Sequence, residues 1–235
     1  MGPPQFPANQ LHEADSLKFL RQPLRDAIQK EILTRIVSGA LPAGQRINET
    51  HLAEDLGISR TPLREAMLTL AAVGHLNSDM GKGFAVPALD PAELQQIVQI
   101  LALIQPLTLG LIMPLDPALL VDLSNQLNRG KMKLGRNPQG KDAGLALAGL
   151  VYNWNEVLQR PSQSSVLTAE VNQLEGRAAR YWFAAGNKGL ETDDLLNSLG
   201  GLYELIRQGQ KDRACQVWAE HIQKYGQMAV ACLKA

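Results

Sequence analysis

Apolar residues at Ile28, Ile32, Leu33, Ile36 and Val37 recur at three- and four-residue steps, predicting an amphipathic helix whose first turn holds Pro23. Ser38-Gly39 stops it and Pro42-Ala43-Gly44 makes a turn. Asn48 is placed to cap a second helix that turns Leu52, Ala53 and Leu56 inward and leaves Glu49 and Glu54 exposed. Gly57 ends that helix, because glycine takes the left-handed backbone without strain. Ser59 is placed to cap a third, with Thr61 and Pro62 in its first turn and Leu63, Ala66, Met67, Leu70 and Val73 as its buried stripe. After Gly74 the period becomes extended: His75–Ser78 and Phe84–Val86 read as short strands joined by a hairpin over Met80-Gly81-Lys82-Gly83. Two short helices around a glycine turn, followed by a hairpin, form a winged helix-turn-helix, which lays one helix in the major groove of DNA.

Beyond Pro87–Pro91 the pattern is helical throughout. Asp90 caps a helix from Pro91 to about Met113, kinked at Pro106, and Asp116 caps one over about 117–129. Gly130–Gly140, with Lys131, Lys133, Arg136 and Pro138, reads as a basic loop, and further helices are expected at about 142–159, 163–185, 192–208 and 211–233. The fold class is therefore mostly α. A flexible arm (1–20) precedes a winged helix-turn-helix domain (21–88), and an all-α bundle of about six helices (89–235) follows.

Composition adds constraints. The 235 residues include 23 basic and 23 acidic side chains, so net charge is zero and any DNA-binding face must come from local clustering. Cys215 and Cys232 are the two cysteines, without a CxxC pair, and read as free thiols in a reducing cytoplasm. The most apolar segment, Leu94–Leu115, is broken by Gln95, Gln96, Gln99, Gln105, Pro106 and Gly110. A bilayer span needs about 20 nearly unbroken apolar residues, so a buried helix and no membrane are expected.

Arg60 and Arg64 lie four residues apart at the start of the third helix and so share a face. An arginine there can fork onto guanine O6 and N7 or clamp a phosphate. The Thr61 hydroxyl and the positive end of the helix suit a phosphate. Arg35, Arg46 and Lys82 offer flanking phosphate contacts, and Thr50, Ser59 and Gly83 complete the candidate DNA-binding set. An enzyme reading lacks support: the chain has no nucleophile–base pair, no HExxH and no phosphate-cradling glycine loop. Gly144, Gly149, Gly200 and Gly201 read instead as close helix packing.

The run from Ser38 to Leu76, above all Ser59-Arg60-Thr61-Pro62-Leu63-Arg64-Glu65-Ala66, resembles the N-terminal domain of the GntR family of bacterial transcription regulators, over about Pro23–Ala88. The all-α partner domain is similar to that of the FadR subfamily, of FCD type. The resemblance implies binding of a palindromic double-stranded operator by a homodimer, with DNA roles for Arg60, Thr61, Arg64, Lys82 and Gly83. It also implies a small effector in the helical domain, such as an organic acid or apolar compound. Many such domains hold a divalent metal through one aspartate and three histidines. Here those places fall on Val151, Asn155, Leu199 and His221, so a metal is not expected. An arginine and a glutamate usual on the first bundle helix fall on Leu101 and Gln105. Tyr152, Asn155, Arg177, Tyr181 and His221 are the expected effector-binding residues, with Asn153, Trp154, Arg180 and Trp182 as further possible lining. The expected function is a cytoplasmic homodimeric regulator, a repressor, modulated by a small molecule and without cofactor. The alternative is an effector-independent regulator whose helical domain only dimerises.

Overall fold

The computed structural model describes residues 10–79, 83–136 and 140–235, with side chains from Leu24 onward. The elements in chain order are α1 (Gln10–Val37), α2 (Glu49–Leu56), α3 (Arg60–Ala72), β1 (Asn77–Asp79), β2 (Gly83–Ala85), α4 (Pro91–Ile112), α5 (Pro117–Leu134), α6 (Gly140–Gln159), α7 (Ser165–Asn187), α8 (Asp193–Arg207) and α9 (Lys211–Lys234). Contacts group the chain up to Arg35 with Gly44–Pro87 as one unit, and Ile36–Ala43 with Ala88–Ala235 as a second.

In the first unit α1 starts at Gln10, well before Pro23, so part of the expected flexible arm is helical. The reason is local: Gln10–Gln22 contains neither glycine nor proline, and most of its residues are Leu, Gln, Glu, Ala, Lys or Arg, all good helix formers. The two strands pair antiparallel, Asn77 with Ala85 and Asp79 with Gly83. Both strands are offset from the expected positions. Val86 instead pairs with the segment before α2, donating its N–H to Gln45 O at 2.9 Å, while Ile47 N–H donates to Phe84 O at 2.9 Å. The fully buried Leu63, Met67, Leu76 and Phe84 anchor α3 and the wing in one core.

In the second unit α4 packs along α9 and α7, α6 lies between α5 and α7, and α8 packs on α9. The expected caps are present: Asp90 Oδ1 accepts from Ala92 N–H at 2.8 Å and Asp116 Oδ1 from Ala118 N–H at 2.7 Å. α5 runs on to Leu134, into the first half of the stretch expected as a basic loop. Gly130 is buried against Leu150, where a Cβ would stand 2.7 Å from Cδ1, and Lys131 and Lys133 occupy the last helical turn, where cations favour the dipole. Residues 137–139, and with them Pro138, lie outside the described residues.

α4 is long and apolar enough to cross a bilayer by length and composition, yet it lines the core through Leu94, Ile97, Val98, Leu101 and Leu109. Only 44% of its most apolar window is buried, which leaves Ile100, Leu103, Leu107 and Leu111 exposed along one outer stripe.

Of the glycines expected to allow close packing, Gly144 does so. A Cβ there would lie 2.4 Å from Phe183 O, and one on Gly186 would lie 2.7 Å from the Gly144 Cα. Gly149 and Gly201 have nothing within 4 Å of such a Cβ, and the nearest atom to one on Gly200 is at 3.9 Å. Gly186→Ala is therefore expected to cost about 1–3 kcal/mol through overpacking. Gly201→Ala, on the exposed face of α8, is expected to gain about 0.5–1 kcal/mol from helix propensity. Urea unfolding of the two variants checks the opposite signs.

Candidate nucleic-acid interface and helical cavity

The turn between α2 and α3 is built from local chemistry. Asn48 Oδ1 accepts from Thr50 and His51 N–H, both at 3.1 Å, and fixes the start of α2. Gly57 closes α2 at φ 64°, its N–H donating to Glu54 O at 3.0 Å. Ser59 sits at the cap of α3 with extended backbone, but its hydroxyl makes no capping bond, contrary to expectation. The first turn of α3 carries no acidic residue. Its N–H groups and the exposed Ser59 and Thr61 thus form an open anion-binding end.

Arg60 is exposed and belongs to none of the ion pairs found among the described residues. Arg64 is 55% exposed but not free: its Nη1 donates to both Glu49 oxygens at 3.0 Å, and its guanidinium lies 5.5 Å from the centroid of the Phe84 ring. Glu49, expected to be exposed, keeps only 12% of its side-chain exposure because it lies under Arg64. Gly83 has φ 77°, a left-handed backbone that glycine takes without strain, and it brings the wing to within contact distance of this pair: a Cβ there would stand 3.4 Å from Glu49 Oε1. The pair thereby ties α2, α3 and β2 together and orients Arg64. Sequence spacing hid it, since the partners lie 15 residues apart.

Thr50 and Arg46 are exposed, and Arg46 lies in backbone register with Ala85 of β2. Arg35 is committed within the unit, to Glu31 at 2.8 Å and Asp55 at 3.4 Å. These bonds stitch α1 to α2 and take up the guanidinium expected to flank the DNA. Lys82 lies outside the described residues.

The second unit encloses a cavity of about 40 Å³ among α4, α6, α7, α8 and α9. Val151, Asn155, Leu199 and His221, the four places matched from the sequence, all line it, together with Gln105 and Glu175. The other expected effector residues lie elsewhere. Tyr152 is 54% exposed on the outside of α6. Arg177 and Tyr181 both bond Glu93, and Arg180 joins them at 2.6 Å. Burial works against ionising Glu93, but the hydrogen bonds from Tyr181 and Arg177 and the Arg180 charge hold its carboxyl below the usual range. That cluster anchors the start of α4 to α7. Its residues were expected to line a pocket because they are polar and aromatic, but a single acidic partner consumes them.

His221 is stacked on Trp218 with centroids 5.2 Å apart, and its Nδ1 is 2.8 Å from Ser198 Oγ. Burial, with the charge of Lys224 adding to it, pushes its pKa down to about 3, so the ring is neutral. Glu175, which sequence reading missed, is 7% exposed and accepts from Gln105 Nε2 at 2.5 Å. Burial lifts its pKa to about 7 against the opposing hydrogen bonds from Gln105 and Asn155. The donor set does not fit a divalent metal. Val151 and Leu199 carry no ligand atom, Ser198 engages one His221 nitrogen, and no group of three His, Cys, Asp or Glu side chains gathers among the described residues.

Comparison with known proteins agrees with the geometry of the first unit. Residues 24–86 match the family described as bacterial regulatory proteins, gntR family. The chain is 42% identical over 65 residues to the uncharacterized HTH-type transcriptional regulator YdhC of Bacillus subtilis, covering 28% of this chain and 29% of that protein. It is 35% identical over 88 residues to the probable D-xylose utilization operon transcriptional repressor of Paenarthrobacter nicotinovorans, covering 37% and 39%. The matched stretches thus span well under half the length of these relatives. The solved structure of E. coli McbR/YncC shares the fold across both units, with a TM-score of 0.73 at 21% identity, covering 86% of this chain and 94% of that one.

Proposed function

We propose that this chain, whose residues 24–86 are a GntR-family DNA-binding domain, is a cytoplasmic transcription regulator of the FadR subfamily that binds a palindromic operator as a homodimer. It acts on DNA and is not an enzyme. The observation that carries the reading is the exposed Arg60, Thr61 and Arg64 at the uncapped, acid-free start of α3. The helix N-terminus and Thr61 hold phosphate while the arginines reach base edges. Repression is supported by a relative named as a repressor.

Homodimerisation is supported by the outer stripe of α4. Between Glu93 and Ile112 this helix has no charged residue, and Ile100, Leu103, Leu107 and Leu111 face outward. An uncharged apolar stripe complements its own copy across a twofold axis, whereas a charged partner would find nothing there to pair with. Leu103→Glu with Leu107→Glu is expected to give folded monomers in sedimentation velocity and to weaken operator binding. A variant that remained dimeric would remove α4 from the interface.

Selection from random duplexes by the full chain tests the operator reading, with an inverted repeat as the expected product. The cavity supports an effector that changes operator affinity. Apolar Val151 and Leu199 at its wall favour the second reading, in which the helical unit only dimerises. Thermal-shift screening with organic acids, fatty acyl compounds and small amines separates the two, because a ligand of the folded state must raise the melting temperature.

A further inference from the structure

Trp154, Trp182 and Trp218, the three tryptophans of the chain, all line the helical cavity, together with Tyr225. Among these rings stands Glu175, which no arginine or lysine pairs among the described residues. Its neighbours are amides: Gln105 Nε2 and the Asn155 side chain donate to it. Gln105 Oε1, also buried, has no partner. The cavity therefore presents a carboxylate held only by neutral amides and an amide oxygen without a donor, inside aromatic walls whose ring faces attract positive charge.

From α4, α6 and α8 only uncharged side chains face this point. α9 contributes the neutral His221 and the Tyr225 hydroxyl, whose pKa burial raises, while the Lys224 ammonium is exposed and taken up by Asp194 at 2.5 Å. An anionic occupant would meet Glu175 with no cation to offset it, whereas a cationic one supplies the donor that Gln105 Oε1 lacks and the missing charge.

We propose that this cavity binds a small organic ammonium compound, its N–H groups donating to Glu175 and Gln105 Oε1 and its alkyl part lying among the tryptophan rings. This rests on the effector reading above and gives that effector a chemical class. A volume of about 40 Å³ is roughly the space of one or two waters, which limits the occupant to an ammonium group with few carbons. Trp154 Nε1, buried and without a partner, offers a donor to a hydroxyl on the same ligand.

Tryptophan fluorescence reads this cavity directly. The full chain is titrated with methylammonium, ethylammonium and 2-hydroxyethylammonium chlorides, with sodium chloride at equal ionic strength and sodium acetate as controls, and melting is followed in parallel. A saturable fluorescence change and a raised melting temperature are expected with the ammonium salts and not with the controls. Affinity should rise about tenfold per pH unit below pH about 7 and level off above, as the carboxylate ionises. Glu175→Gln should keep the fold and lose about tenfold or more in ammonium affinity. An ammonium response unchanged in Glu175→Gln, or one that weakens as pH rises, overturns the assignment. So does saturable binding of acetate alone, which would leave the effector reading standing. A flat response to every probe also overturns it, and the effector reading falls with it only if the wider screen is flat as well.

Discussion

Arg60→Ala is expected to leave melting unchanged and to weaken specific operator binding by about 2–6 kcal/mol, because the proposed dimer would lose two contacts of about 1–3 kcal/mol each. Arg60 is exposed at the first position of α3, so its truncation opens no cavity and breaks none of the ion pairs among the described residues. Fluorescence anisotropy with specific and scrambled duplexes over a range of salt checks the effect and its kind. Loss confined to the specific duplex means base readout. Equal loss on both, with a salt slope shallower by about one per subunit, means a phosphate contact. Unchanged affinity would remove α3 as the reading element. Arg64→Ala is the informative companion: it also leaves the largely buried Glu49 without its partner, so its effect mixes lost DNA contact with a loosened wing. Arg64→Lys keeps a charge but not the planar guanidinium fork, and is expected to recover phosphate affinity more than base discrimination.

The first unit was legible because its instructions are local. Asn48 caps within three residues, Gly57 takes the left-handed turn its position demands, and the period change after Gly74 marks the wing. Long-range bonds were not legible. Glu49 reads as a surface acid on α2, and nothing within one turn of it reports that Arg64 will fold over it. Glu175 did leave a signal: with Val171, Ala178, Ala179 and Trp182 it falls on the apolar stripe of α7, so a carboxyl was bound to be buried. The outer stripe of α4 is the opposite case. A helix that is apolar nearly all round reads as wholly buried, because the pattern does not distinguish a core face from a face awaiting a second copy. Polar and aromatic residues misled at Arg177 and Tyr181 for a related reason: chemistry suited to ligand recognition equally suits holding Glu93 in place.

Glu175 also makes stability depend on pH in a direction opposite to that of most acids. Its pKa in the fold is about 7, raised from an ordinary 4.5 by burial, so the unfolded chain releases the proton first as pH rises. Between about pH 4.5 and 7 the folded state binds more protons than the unfolded, and stability must fall across that window. The shift corresponds to about 3 kcal/mol, fully lost above pH about 7. Glu175→Gln is expected to abolish that fall and to melt higher than the parent at pH about 8, with little difference at pH about 4.5. The glutamine fits the site chemically, since it accepts from Gln105 Nε2 and donates to the otherwise unpartnered Gln105 Oε1. Chemical unfolding at the two pH values checks this. A variant no more stable than the parent at the higher pH would mean that Glu175 stays ionised without cost, its charge met by a group supplied from outside the folded chain.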